Sequence, residues 1–436
     1  MKSIFNLAVV LLLISCSTTQ QRHLNSINNT STAMIGSWNQ KIIETAIKED
    51  GLLSMKGVRT AAMMHIAMHD AINSVVPQFD TYVYAEQDSE ADPVVAMVEA
   101  AYTIANEFYP DKNDLWVTEK MRWTKDISES KAKSSGIQLG RAVAQAVIQS
   151  RVNDRWDGET EYQWHPMAPG VYAEFNEHSG TPKGFIFGAG LANVQPFALS
   201  SNKQFISPPP PEINSSEYTQ AFNEVKEVGS FESTVRTPEQ THLALWWKEF
   251  SENSHNKLAR ELIQKQELGL AESSRLFALL NVAIFDAYVN VFYNKFKYNH
   301  WRPYSAIRWA KNDGNPDTVE DLTWTNTHQH TYPFPSYPSA HGTACTAAMQ
   351  VMNDVFGNDL PFEMTTKEVD KAGFFSEKIT MTPATKKFSN FSEAAMECSM
   401  SRVYLGIHFR YDSIEGNKLG AKIGNYLIMN YMNKLK

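Results

Sequence analysis

"RTAAMMHIAMHDAINSV", Arg59 to Val75, and "RLFALLNVAIFDAYVNV", Arg275 to Val291, carry one pattern twice. Each opens on an arginine and reaches an aspartate eleven residues later, Asp70 in the first copy and Asp286 in the second, with apolar residues between. Eleven residues are about three helical turns, so arginine and aspartate share a face but lie too far apart to touch. Apolar residues recur at helical spacing in "WNQKIIETAIKE", "GRAVAQAVIQSRV" and "HLALWWKEF" as well, and strand-like alternation is scarce. The expectation is an all-α protein: two helical bundles from an internal duplication, packed side by side. The alternative is that buried helices simply look alike.

The chain of 436 residues is longer than one compact core usually reaches. Four prolines in "SPPPPEIN", Ser207 to Asn214, cannot continue a helix and favour an extended spacer. The expected organisation is an N-terminal bundle over 36–206, a linker over 207–214 and a C-terminal bundle over 215–436. The net charge of −8 argues against nucleic acid as a partner, and makes a local cluster of Lys and Arg stand out.

"MKSIFNLAVVLLLISCSTTQQ" reads as an export signal, with Lys2, an apolar run from Phe5 to Ile14, and Cys16. "LISC" resembles the bacterial lipoprotein processing box, which implies lipidation at Cys16. Residues 1–16 would then be the signal and 17–35 a flexible tether. An ordinary secretory signal with a chance cysteine is the alternative. The protein is expected to be exported and lipid-anchored at the periplasm or outer membrane. No later segment has 18 consecutive apolar residues, so the anchor would be the only membrane attachment. An acidic body with much aromatic surface could form a homodimer, though no segment specifies one.

His65 and His69 have the i,i+4 spacing of a metal pair, but their counterparts in the second copy are Asn281 and Phe285. They read as satisfied core residues. His328 and His330, just before a proline-rich stretch, read as exposed loop residues, with residues lining the entrance to a site as the alternative.

Three segments of the second half carry the chemistry. "KFKYNHWRP" places Lys295 and Arg302 two helical turns apart, with Pro303 ending the helix there. "PFPSYPSAHGTAC", Pro333 to Cys345, brings the chain in extended and then starts a helix near Ala340, which Ser339 can cap. A helix N-terminus offers free N–H groups to a tetrahedral anion, and arginine's planar fork suits paired oxygens. "SRVYLGIHFRYD" brings Arg402, His408 and Asp412. Arg402 and His408 would stand about 120° apart on one continuous helix, so a break at Gly406 is expected, with one helix ending near Leu405 and a new turn near His408. Asp412, four residues after His408, would hold its second ring nitrogen or a neighbouring arginine.

The order Lys-x6-Arg-Pro, Pro-Ser-x-His, Ser-Arg-x5-His-x3-Asp resembles the signature of the type 2 phosphatidic acid phosphatase and vanadium haloperoxidase superfamily. "PFPSYPSAH", "WRPYSAIRWA" and "SRVYLGIHFRYD" look more like the soluble vanadium-dependent haloperoxidases than the membrane phosphatases, and "VRTPEQTHLALWW" extends the likeness. The resemblance implies a vanadium chloroperoxidase-like fold of two helical bundles. It implies that Lys295, Arg302 and Arg402 neutralise bound vanadate, that Ser339 and the Ala340 N–H add hydrogen bonds, that His408 ligates vanadium and that His341 is the acid/base. Hydrogen peroxide and halide would be the substrates, with a small organic acceptor for the oxidised halogen. The same residues suit a metal-free acid phosphatase, with phosphate in the site and His408 attacking phosphorus.

Two departures stand out. Family haloperoxidases commonly have Gly where this chain has Ala340, and often Trp where it has Phe292. Phe292, Trp301 and Phe334 are expected to line the halide pocket, and loss of an indole N–H favours the larger, softer iodide or bromide. Cys345 stands four residues after His341 and Cys398 four before Arg402, each sharing a helix face with a site residue. They are either a disulfide or two buried free thiols.

Overall fold

The computed structural model describes residues 32–51, 54–158, 160–173, 178–373 and 376–436. Cys16, the signal and most of the tether lie outside them. Among the described residues the first helix, α1, spans Ala33–Asp50, so helix covers part of the stretch expected as tether. α2 spans Met55–Val75, α3 Pro93–Phe108, α4 Asn113–Thr124 and α5 Lys131–Ser150. Ser54, Asp92 and Ser130 cap three of these by accepting N–H bonds of the first turn. Then follow α6 Ser216–Val228, α7 Pro238–Trp246, α8 Ser251–Lys265, α9 Leu270–Tyr298, α10 Pro303–Trp309 and α11 Ala340–Phe356. Two antiparallel pairs interrupt the helices: β1 Phe362–Thr365 with β4 Thr385–Phe388, and β2 Glu368–Asp370 with β3 Lys378–Thr380. α12 Phe391–Tyr404 and α13 Arg410–Asn430 follow.

The chain forms two compact units, one of Met1–Asn153, Asn256–Val282 and Ile428–Lys436, the other of Asp154–His255 and Ala283–Leu427. The division therefore does not fall at 207–214. That stretch is extended, as its prolines require, but it is packed inside the second unit. The Ser207 N–H donates to Asn294 Oδ1 at 2.9 Å, and the Tyr298 hydroxyl donates to the Ser207 carbonyl. The continuous helix α9 also contributes residues to both units. It is long and apolar enough to cross a membrane, yet its apolar window is 94 % buried within the protein.

The duplicated pattern has matching contacts. Asp70 accepts from the backbone N–H groups of Tyr82, Val83 and Tyr84, at 2.7, 2.8 and 3.0 Å. Asp286 accepts from those of Phe197, Ala198 and Leu199, at 2.7, 2.8 and 2.9 Å. Each arginine bonds a backbone carbonyl instead of the aspartate, Arg59 that of Arg151 and Arg275 that of Met432. His65 and its counterpart Asn281 likewise play one role: Asn39 donates to His65 Nε2 at 2.9 Å, and Asn256 donates to Asn281 at 2.9 Å. His69 bonds the Asp80 carbonyl at 3.0 Å. Both histidines are thus core residues, as their counterparts indicate.

Candidate active site

All three motif segments lie in the second unit. α9 ends at Tyr298, where Asn299 has φ +46°, so Lys295 and Arg302 do not share one helix. They converge another way. Arg302 is extended at φ −88°, ψ 155° and precedes Pro303, the first residue of α10. The proline-rich stretch between them and α11 belongs to no helix, so its carbonyls are free to accept. Lys295 Nζ donates to the carbonyls of Pro335 (3.0 Å) and Ser336 (2.6 Å). Arg302 Nε donates to that of Phe334 at 2.9 Å, and Nη1 to that of Ile407 at 3.0 Å.

Ser339 caps α11, accepting from the Gly342 N–H at 3.3 Å, and its own N–H donates to the Asp412 carbonyl at 2.9 Å. Ala340 takes the first helical position, so its methyl group is accommodated there. α12 closes at Leu405, Gly406 turns the chain at φ +78°, and α13 begins at Arg410, which confirms the expected break. An alanine at Gly406 would drive its Cβ into the Gly229 carbonyl, so two loops meet here only because one residue lacks a side chain. The break lets Arg402 and His408 face one site. His408 Nδ1 donates to Asp412 Oδ2 at 2.9 Å, which leaves Nε2 as the acceptor, 3.4 Å from Arg302 Nη1.

Arg402 Nη1 donates to the Trp247 carbonyl at 2.9 Å. The His341 ring is tied to the same carbonyl, and its Nε2 has no partner among the described residues. Arg402 Nε is likewise buried without a partner among the described residues. Lys295, Arg302 and Arg402 are at most 2 % exposed. Burial and Arg302 push the Lys295 ammonium well below its usual range; against this cluster stands the carboxylate of Asp412, which burial pushes upward and Lys295 and Arg302 pull back. Burial, then the neighbouring cations, hold the His408 imidazole well below its usual range; burial and Arg402 do the same to His341. Both rings are neutral near pH 7. Buried cations lacking enough counter-charge cost several kcal/mol each unless an anion joins them. Unpartnered donors, surplus positive charge and a capped helix start all fit a tetrahedral oxyanion such as vanadate or phosphate.

The apolar wall differs in part from expectation. Phe292 and Phe334 pack at 5.2 Å, and Phe334 lies 4.7 Å from the Arg302 guanidinium. Phe187, a loop residue absent from any motif, stands 5.8 Å from each. Trp301 is not in this wall. It packs on Tyr218 (6.4 Å) and Trp309 (6.3 Å) in the core. Arg302 is extended, so neighbouring side chains turn opposite ways, and Trp301 leaves as Arg302 enters. Cys345 and Cys398 are free thiols, both buried, in hydrogen-bonding reach of each other and with Cys345 Sγ 3.2 Å from His255 Nε2. His328 is 1 % exposed instead of lying on a surface loop, and His330 is half-buried. Trp247, whose carbonyl joins His341 to Arg402, lay unassigned because a backbone acceptor leaves no residue-type signal.

Residues 275–436 match the family described as the VCPO second helical-bundle domain. A vanadium chloroperoxidase from Curvularia inaequalis is 24 % identical over 81 % of this chain and 74 % of its own length. A bacterial vanadium-dependent iodoperoxidase superposes with TM-score 0.73 at 21 % identity, over 94 % of this chain and 98 % of that one. A holo-type bacterial vanadium-dependent chloroperoxidase gives 0.65 at 15 % identity, over 86 % and 91 %. Residues 275–436 thus carry the VCPO second helical-bundle domain, and the chain has the fold of the vanadium-dependent haloperoxidases.

Proposed function

We propose that the protein is a vanadate-dependent haloperoxidase that uses hydrogen peroxide to oxidise iodide or bromide to a hypohalous-acid-like species, which passes to a small organic acceptor. What supports this reading is that Lys295, Arg302, Arg402 and His341, all buried or nearly so, lie within electrostatic reach of His408, with His341 Nε2 unpartnered among the described residues. Lys295, Arg302 and Arg402 would neutralise the oxyanion's charge, and the Ser339 hydroxyl and Ala340 N–H would donate to its oxygens. His408 Nε2, kept bare because Nδ1 is engaged by Asp412, would be the ligand to vanadium. His341 Nε2 would take the proton of hydrogen peroxide and return it to the departing oxygen. Bound vanadate supplies the Lewis acidity that activates peroxide toward halide. The Phe187, Phe292 and Phe334 wall has no indole N–H and suits a large, polarisable halide.

The test is to assay the apo protein with a phosphoester, then with vanadate, peroxide and iodide. Iodide oxidation that appears only after vanadate supports the reading. Phosphoester turnover without metal, and no iodide oxidation, replaces it with a phosphatase. His408→Ala loses vanadate binding and turnover together, whereas His341→Ala keeps binding and loses about 10²-fold or more in turnover. We also propose that Cys16 carries a lipid anchor at the cell envelope. Cys16→Ser would then move the protein from the membrane to the soluble fraction, and an unchanged distribution would reject the anchor.

A further inference from the structure

Beside the oxyanion hole lies a group that the chemistry above does not use. His328 is 1 % exposed, and among the described residues neither of its ring nitrogens has a hydrogen-bond partner. Its ring centroid is 5.5 Å from that of Tyr332, and the Tyr332 ring is 5.7 Å from the Arg302 guanidinium. His328 is therefore one aromatic ring removed from the hole. Its backbone N–H donates to the Leu405 carbonyl at 3.2 Å, which fixes it against the end of the helix that carries Arg402. His330 stands edge-on to it at 5.5 Å and is itself engaged, with Nε2 bonded to the Ser179 carbonyl at 2.7 Å. Lys248, whose charge the ring also feels, is held by the carbonyls of Asp370 and Ala372.

We infer that His328 holds hydrogen peroxide beside the oxyanion hole, one ring nitrogen accepting from the peroxide and the other donating to a second hydroxylic molecule, peroxide or water. This rests on the function proposed above. Burying an imidazole with both nitrogens unmet costs a few kcal/mol, so the site is built for a guest. The guest's chemistry follows from the ring. Burial, Lys248, His330 and Arg402 keep it neutral, so it presents one donor and one acceptor. A halide satisfies only the donor. A carboxylate or a fully ionised phosphate likewise accepts without donating, so it too satisfies only the donor. Hydrogen peroxide both donates and accepts, and it is the one such substrate the reaction requires.

The experiment has two arms. In the first, apo protein carrying 15N-histidine is titrated with hydrogen peroxide and, separately, with iodide, the His328 signal being identified by its loss in His328→Gln. A saturable shift with peroxide and none with iodide is expected. No peroxide shift, or a saturable iodide shift instead, overturns the inference whatever the turnover. In the second, vanadate-loaded His328→Leu raises the KM for peroxide roughly tenfold. Vanadate affinity and the KM for iodide should stay within about twofold. His328→Gln, which keeps a donor and an acceptor, should recover most of the loss. Equal changes in all three constants mark a structural role and overturn the inference. Should His328→Leu fail to fold, the Gln variant and the titration decide. A peroxide shift in a wild-type protein that oxidises no iodide would leave this site standing and remove the proposed function.

Discussion

His408 and Asp412 stand one helical turn apart and are joined by a 2.9 Å bond from Nδ1 to Oδ2. The bond fixes the tautomer, so Nε2 is bare and faces Arg302 at 3.4 Å. The Asp412 backbone carbonyl also accepts from the Ser339 N–H, so this residue ties the third motif segment to the second.

Asp412→Asn lets an amide N–H compete for Nδ1 and frees the wrong tautomer. Vanadate affinity should fall about 10- to 100-fold. Isothermal titration of the apo protein measures it, and an unchanged affinity would show that the ring is oriented by other contacts.

Gly406→Ala should destabilise the protein by about 2–4 kcal/mol, from the left-handed φ and the clash with the Gly229 carbonyl together. Denaturant unfolding at fixed pH reads the loss. Because Gly406 sets the angle between Arg402 and His408, oxyanion affinity should fall in the fraction that still folds.

Stability should drop on mild acidification. Burial holds the imidazoles of His65 and His300 down at about 3, and those of His69 and His255 at about 4. The unfolded chain takes up protons near pH 6.5 that the native chain refuses, so this stability is complete above pH 6.5 and is lost as pH falls toward 4. Asp70 and Asp412 have the opposite sign, since burial raises their carboxyls to about 6 and about 7 and their protonation below those values favours the native state. The four imidazoles outnumber them, and urea midpoints should show a net loss of at least about 2 kcal/mol between pH 7.5 and 5. A flat profile would contradict the burial of these rings.

Cys345 and Cys398 should stay silent toward thiol reagents until the protein unfolds, and then react as two groups. Burial holds the Cys345 thiol well above its usual range, which starves it of thiolate. A loss of two hydrogens in the intact mass, restored by reductant, would instead reveal a disulfide.

Much of the site was legible because it depends on short-range chemistry. The cap at Ser339, the break at Gly406 and the His408–Asp412 pair follow from spacing within a few residues. Trp301 was misplaced because a residue type does not say which side of an extended segment faces the site. His328 was misread because loop composition does not report burial. The stretch 207–214 is extended, as its prolines require, but Asn294 and Tyr298, which hold it in place, come from a distant helix that composition cannot point to.

The sequence by itself determined the helical periodicity, the doubled Arg-to-Asp pattern and the identities of the two histidines and three cations. Only tertiary structure decided what those cations lean on: the carbonyls of Phe334, Pro335, Ser336 and Trp247. The reason is physical. Helix period and capping act within four or five residues, where side-chain identity governs. Every residue has a carbonyl, so which ones meet a buried charge depends on how remote segments pack.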